Sequence, residues 1–128
     1  MATYLVEAAA RSNFKLVMNT GVKRVLRNGS HVYGVELDPQ NSAGLCGKVN
    51  VTATGKVILS AGVFGTSKIL MRSGIGPADQ LAIVKGSADG PTMIDSSKWI
   101  NLPVGMNLND HTNVSSLSSL EFLDIAAY

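Results

Sequence analysis

The chain has few of the residues that staple or anchor a protein. Cys46 is the one cysteine among 128 residues, so an internal disulfide is excluded. No evident base lies beside it, and we expect a buried or idle thiol rather than a nucleophile. No apolar run approaches the roughly 18 residues of a membrane span. The first residues also lack the basic start and apolar core of a signal peptide. These absences predict a soluble chain with no membrane partner and no targeting signal of its own.

An excess of charge of one sign is also missing. The 11 Lys and Arg residues are balanced by 9 Asp and Glu residues, and the basic residues do not form a run. Proteins that bind nucleic acid usually concentrate basic side chains, so we expect no nucleic-acid partner. His31 has no Cys, Asp or Glu at ligand spacing, which predicts a solvated imidazole and no metal site.

The most informative stretch begins with Val57-Ile58-Leu59, a continuous apolar run that predicts a buried strand of a parallel sheet. Gly62 and Gly65 predict a tight turn after it, and Thr66 and Ser67 can cap a following helix. Unpaired amides at such a helix start suit an anion or a nucleotide. The alternative, which local features favour, is an ordinary strand-to-helix junction whose glycines only permit packing.

The remaining elements surround this stretch. Asn28-Gly29 between two β-branched runs predicts an antiparallel hairpin, because both residues accept positive φ. The other predicted elements are a helix over 2–11, strands over 14–18 and 48–52, and a brief helix over 78–85. The fold class is therefore α/β with α+β elements, in which a small antiparallel β layer accompanies the parallel strand.

An extended segment over 99–111 is held away from helix by Pro103 and Gly105. Its polar side chains either bind a polar ligand or satisfy backbone groups, and the residues alone favour the second alternative. The two titratable members are adjacent and point to opposite sides of an extended chain, so we expect no catalytic dyad between them. These polar residues are Asn107, Asn109, Asp110 and His111.

Three Asn-x-Ser/Thr sequons occur, at Asn28, Asn50 and Asn113. About one is expected by chance from this composition, and such sequons are acceptors of N-linked glycans in secreted proteins. The excess favours an extracellular parent protein, although it decides nothing alone.

Two segments carry a resemblance to a known family. Gly62-Val-Phe-Gly-Thr-Ser-Lys-Ile-Leu-Met-Arg-Ser-Gly-Ile-Gly76 resembles the second signature of the glucose–methanol–choline family of flavin oxidoreductases. Pro103-Val-Gly-Met-Asn-Leu-Asn-Asp-His111 is similar to the segment that follows it, and the resemblance extends over about 3–113. Within the family, Trp99-Ile-Asn-Leu-Pro-Val-Gly-Met-Asn and Arg11-Ser-Asn-Phe-Lys-Leu are most similar to the flavin domain of fungal cellobiose dehydrogenases.

The resemblance implies part of a Rossmann-like domain that binds FAD. It further implies hydride transfer to FAD from the anomeric carbon of a cellobiose-like sugar, and a parent protein with an attached haem domain. By position, Val22 resembles the residue whose backbone meets the adenine, and Ala61 and Gly62 resemble the approach to the ADP portion. The segment running near the flavin corresponds to Asn107, Asn109, Asp110 and His111.

Two features of the family are missing. The Gly-x-Gly-x-x-Gly fingerprint that seats the pyrophosphate does not occur, and neither His31 nor His111 lies in the motif of the catalytic histidine. Residues 114–128 also depart from the family pattern, so we divide the chain into a central fragment of the FAD-binding domain, 1–113, and a divergent tail. The leading hypothesis is a fragment that is inactive alone. The alternatives are a non-catalytic module that binds a nucleotide or a protein, and an enzyme of the same family acting on another alcohol.

Overall fold

The computed structural model describes residues 2–109, and side chains from residue 3 onward. Asp110, His111, Asn113 and the predicted tail at 114–128 lie outside these residues. The combination of helices with a small antiparallel sheet confirms the predicted fold class. The elements are α1 (Ala2–Ala9), β1 (Thr20–Asn28), β2 (His31–Pro39), β3 (Gly47–Asn50), α2 (Gly62–Arg72) and α3 (Ala78–Lys85), with 3-10 turns at Gly90–Thr92 and Ser96–Lys98. No helix within 2–109 has the length and apolarity to cross a bilayer.

The predicted hairpin and third strand are confirmed. β1 and β2 pair in antiparallel fashion down to Asn28 opposite His31, and β3 pairs along the other edge of β2. Gly29 takes the positive φ of 59° that the two-residue loop requires. A Cβ at Gly34 would stand 2.5 Å from the carbonyl oxygen of Val49, so this position needs glycine for β3 to approach β2.

The core forms where α2 packs against β1 and α3. Its fully buried apolar side chain is Leu81, with an exposed fraction of 0%. Ser73, at the end of α2, fixes the helix to the sheet: its hydroxyl donates to the carbonyl of Ile69 at 2.6 Å and accepts from the amide of Val25 at 2.9 Å. The predicted helix over 78–85 is confirmed as α3.

Arg27 is buried beside this contact and bonds four carbonyl oxygens. Nε donates to Ser73 at 2.9 Å, Nη2 to Gly74 at 3.0 Å and to Lys98 at 2.8 Å, and Nη1 to Gly29 at 2.7 Å. Burial lowers the pKa of the Arg27 guanidinium, but an arginine remains charged. The cation satisfies carbonyls at the negative end of α2 that have no helical partner. We call these five residues the Arg27 cluster.

The chain beyond Lys98 runs back along the end of α2. Ile75 and Ile100 form a parallel bridge, the amide of Ile100 donates to Gly74 at 2.9 Å, and the amide of Gly76 donates to Ile100 at 3.0 Å. The predicted extended conformation holds up to Pro103, but a turn follows at 104–107. The physical reason is the positive φ of Gly105 and Asn107, 80° and 58°.

Two predicted strands, over 14–18 and 57–59, are wrong for this chain. Neither segment pairs as a strand, and Ile58 is 85% exposed rather than buried. A parallel strand needs neighbours along its edges, and within 2–109 the only paired strands are β1, β2 and β3. Gly65 lies inside α2, so the predicted two-glycine turn reduces to Gly62.

Several separate segments carry large apolar side chains that are exposed within residues 2–109. They occur on α1, on the 14–18 segment, before α2 and on its first turn. We call this set the open apolar surface; its most exposed members are Tyr4 (83%), Val6 (68%), Met18 (69%), Ile58 (85%) and Phe64 (75%).

Candidate functional site

The start of α2 presents an accessible backbone. Ala61 and Gly62 are exposed, and Gly62 has a φ of 77°. A Cβ on Gly62 would meet no described atom within 4 Å, so this glycine is required by backbone conformation and not by crowding. The amide of Ala61 donates to Thr66 Oγ1 at 3.1 Å. The prediction that Thr66 and Ser67 cap the helix is wrong, because α2 begins at Gly62 and both residues lie inside it. The amides of the first helical turn remain oriented outward from the helix end.

A groove of about 750 Å³ lies between α2, α3 and residues 105–109. One face of α2 supplies most of one wall, at the helical spacing of Val63, Ser67 and Met71. The lining is mainly apolar, with an Arg72–Asp89 ion pair of 2.7 Å on one side. The other lining residues are Phe64, Lys68, Ile83, Val84, Ser87, Gly105, Met106, Asn107, Leu108 and Asn109.

Asn107 and Asn109, predicted as site residues, both line this groove and are exposed. Asn107 adopts the left-handed conformation that asparagine tolerates better than most residues. Asn109 Nδ2 donates to the carbonyl of Asn107 at 3.4 Å. The Asn109 side chain therefore bonds the backbone of the turn, and both asparagines line the groove, so the ligand and backbone alternatives are both compatible with the structure.

The other predicted site residues do not line the groove. Val22 lies in β1 opposite Leu37, half-buried, where the register of the sheet shifts between Val22 and Arg24. Ala61 and Gly62 lie at the helix end, one residue before the groove wall begins. Asp110 and His111 lie outside the described residues. The structure thus brings two predicted residues together with α2 and leaves Val22 in the sheet.

Sequence reasoning missed the groove face of α2 and the Arg27 cluster. The periodicity of Phe64, Lys68 and Met71 along the helix could have indicated one continuous face. Arg27 gave no such signal, because three of its four carbonyl partners belong to segments distant in sequence.

Titratable side chains are sparse around these features. Within residues 2–109 no three His, Cys, Asp or Glu side chains come together at a distance that suits a metal ion. His31 is exposed, as predicted, and Cys46 is exposed rather than buried. The groove can bind an apolar or amphipathic group, and the start of α2 can face an anion. Within residues 2–109 the charged side chains that line the groove are Lys68 and the ion pair of Arg72 with Asp89.

Comparison with known proteins places the chain. Residues 1–113 match the family model described as GMC oxidoreductase. The chain belongs to this family. Over 112 residues it is 37% identical to the oxygen-dependent choline dehydrogenase of Vibrio vulnificus, an alignment covering 87% of this chain and 17% of that protein. It is 29% identical over 119 residues to ecdysone oxidase of Spodoptera littoralis, covering 93% of the chain and 17% of that enzyme.

A third relative, patulin synthase of Aspergillus clavatus, is 35% identical over 112 residues, covering 85% of the chain and 15% of that protein. The chain therefore spans about a sixth of the length of these relatives. Members of the family act on CH–OH donors, and its N-terminal domain is the Rossmann-like region that binds FAD, so FAD is the expected cofactor. The family prediction is confirmed, but the names of these relatives do not single out cellobiose dehydrogenase. The sugar substrate, the haem domain and secretion stay predictions.

Proposed function

We propose that this chain forms one wall of the FAD site in a larger oxidoreductase that takes a hydride from a CH–OH group. The observation that carries the proposal is the accessible backbone at Ala61–Gly62, where a positive φ and an open Cβ side let a bulky group lie against the main chain. These residues fit the ADP portion of FAD. Bound FAD would supply the hydride acceptor.

The chain's own part is to bind and orient. Amides at the start of α2 lie at the positive end of the helix dipole and favour a diphosphate. The amide of Ala61 already donates to Thr66 Oγ1, so the following residues of the first turn are the available donors. The Arg27 cluster fixes the opposite end of α2 to the sheet and so sets the direction in which these donors point.

We also propose that the chain is catalytically incomplete. The phosphate-binding fingerprint does not occur in the sequence, and neither histidine lies in the motif of the proton acceptor. The other proposed cofactor contacts are Val22, Asn107, Asn109, Asp110 and His111. Each would touch one side of the cofactor and none would enclose it.

We further propose a substrate for the full-length parent enzyme. Similarity of residues 11–16 and 99–107 to cellobiose dehydrogenases supports a cellobiose-like sugar, and with it an attached haem domain and a secreted parent. The relatives named for choline, ecdysone and patulin support the competing proposal of another alcohol. Dye reduction by the full-length parent with cellobiose, choline and an aryl alcohol separates the two, and the sugar proposal fails if cellobiose is the poorest donor.

A second candidate function is a non-catalytic module that holds a nucleotide or a partner protein. The observation in its favour is the groove of about 750 Å³ that α2, α3 and residues 105–109 line. A cooperative thermal transition of the isolated chain, shifted upward by ADP, would support this candidate. Absence of any ADP-dependent shift in the transition temperature would exclude a module that binds a nucleotide.

The primary proposal is tested by flavin retention. We expect the isolated chain, incubated with FAD and passed through a gel-filtration column, to emerge without stoichiometric flavin absorbance. In the full-length parent, Gly62→Ala should lower flavin occupancy. Gly47→Ala is the matched control, because Gly47 also has a positive φ of 105° and open space around its Cβ but lies in β3. Equal occupancy in both variants would contradict the role of Gly62. Stoichiometric flavin on the isolated chain, bleached by substrate, would show that the chain is complete.

A further inference from the structure

Two glycosylation sequons lie within the described residues, and their surroundings differ. Asn28-Gly29-Ser30 forms the tip of the β1–β2 hairpin, and Asn50-Val51-Thr52 begins at the last residue of β3. Both asparagines are exposed. Exposure alone therefore does not distinguish them, and the difference lies in what each side chain touches.

Asn28 is exposed at the end of β1, whereas Arg27 before it is buried. The tip itself is fixed, because Arg27 Nη1 donates to the carbonyl of Gly29 at 2.7 Å. Among the described residues no hydrogen bond involves the Asn28 side chain, so a substituent on its amide nitrogen displaces no interaction.

The tip also lies at the end of α2 that faces away from the proposed cofactor. Arg27 bonds the carbonyls of Ser73 and Gly74, which follow the last turn of α2. The helix has 11 residues, a length of about 16 Å, and Ala61–Gly62 lie at its other end. A bulky group on Asn28 leaves the start of α2 accessible.

Asn50 has a different environment. It pairs with Gly34, and its Oδ1 lies 2.9 Å from the position of a Cβ on that glycine. The Asn50 amide therefore lies over the backbone of β2, in the same cross-strand row as the buried Leu26. A sugar on Asn50 would begin against the sheet.

We propose that Asn28 is an acceptor of an N-linked glycan, an inference that rests on the proposed secretion of the parent. The donor class is an oligosaccharide carried on a lipid diphosphate. The Asn28 Nδ2 forms a bond to C1 of the first sugar, the bond from C1 to the diphosphate oxygen breaks, and the amide loses one proton as the lipid diphosphate leaves. The glycan then covers the hairpin tip.

The test is expression of the full chain behind a secretory leader in a eukaryotic host, with intact glycopeptides measured by mass spectrometry. Total cell extract and medium are both analysed, so retention of a poorly folding chain does not hide the modification. Intact glycopeptides are required because an Asn-Gly pair deamidates spontaneously, and the resulting Asp mimics an asparagine that has been enzymatically deglycosylated.

We expect a glycan on Asn28 in most molecules, its complete loss in Ser30→Ala, and unchanged Asn28 occupancy in Asn50→Gln. An unmodified Asn28 in molecules that carry a glycan on another sequon would overturn the proposal. Enzymatic removal of the glycan should also leave the urea midpoint of Trp99 fluorescence unchanged, and a large shift would contradict the free surroundings of the exposed Asn28 side chain. No flavin is measured, so the result is independent of the proposed cofactor role.

Discussion

The Arg27 cluster and the open apolar surface show how differently two parts of one chain are stabilised. In the cluster, a buried cation bonds four carbonyls, three of which are more than 45 positions away in sequence. On the open apolar surface, Ile58 and Tyr4 are more than four-fifths exposed. Apolar residues therefore do not create a core by themselves, because a core also needs other elements that pack against them. The open apolar surface fits a chain that spans about a sixth of its relatives' length.

The largest expected effect comes from removing the centre of the packed region. Arg27→Met leaves the carbonyls of Ser73, Gly74 and Lys98 without their donor, and we expect a loss of about 3 to 4 kcal/mol in the free energy of unfolding. Urea unfolding followed by Trp99 fluorescence measures it. Arg24→Met is the control: the Arg24–Glu36 pair is nearer solvent and is expected to contribute less than about 1 kcal/mol. Equal losses of stability in Arg27→Met and Arg24→Met would contradict the larger contribution of the Arg27 cluster.

The next effect compares one apolar residue from each region. Leu81→Ala opens a cavity in the core and should cost about 3 kcal/mol in the same urea experiment. Ile58→Ala should change stability by less than about 0.5 kcal/mol, because Ile58 is already in contact with water. Ile58→Ala should also reduce self-association in analytical ultracentrifugation. A large stability loss at Ile58 would show that its surroundings are packed.

Two glycines of similar φ separate backbone strain from crowding. Gly74 has a φ of 71°, and a Cβ there would stand 2.6 Å from Ile94 Cγ2 and 3.0 Å from Trp99 Cδ1. Gly62 has a φ of 77° and open space. We expect Gly74→Ala to cost about 2 to 3 kcal/mol and Gly62→Ala about 1 kcal/mol, since only the first adds a steric clash. Equal costs by urea unfolding would mean that strain alone dominates.

The smallest effect is the loss of stability at low pH that comes from Asp95, at the edge of the packed region. Asp95 accepts from Ser97 Oγ at 2.6 Å and from the Ser97 amide at 2.9 Å. These hydrogen bonds, the side-chain bond first, lower the pKa of Asp95 below its usual 3.8. The stabilisation is therefore present above the usual value and is lost as the pH falls through the lowered pKa. Asp95→Asn should flatten the dependence of the urea midpoint on pH between about pH 5 and pH 2. Ser97→Ala should act in the same direction, and an unchanged acid limb in both would contradict the assignment.

Local chemistry made much of the fold predictable. The Asn28-Gly29 pair specifies a hairpin because Gly29 accepts a positive φ without help from distant residues. The helix predicted over 78–85 likewise has the bounds observed, with Asp79 in its first turn. In both cases the information that determines the element lies within a few residues of it.

The remaining features depend on partners that a local pattern does not describe. The apolar run at 57–59 predicted a buried strand, but burial requires neighbouring strands, and none pairs with it within 2–109. The Arg27 cluster could not be predicted because it joins β1 to Gly74 and Lys98, more than 45 positions away. Of the site, Asn107 and Asn109 were candidates by residue type and were assigned to the flavin segment by the resemblance, while the α2 wall opposite them required the structure.

The parallel bridge between Ile75 and Ile100 fixes one end of the segment that follows it and leaves the other end free to move. Three backbone hydrogen bonds, Ile100 to Gly74, Gly76 to Ile100 and Leu102 to Gly76, clamp one end to the helix. The turn carrying Asn107 extends from this clamp along the groove. A ligand that displaces Asn107 should therefore disturb these three hydrogen bonds. The hydrogen-exchange rates of the Gly76 and Ile100 amides would then report whether the groove is occupied.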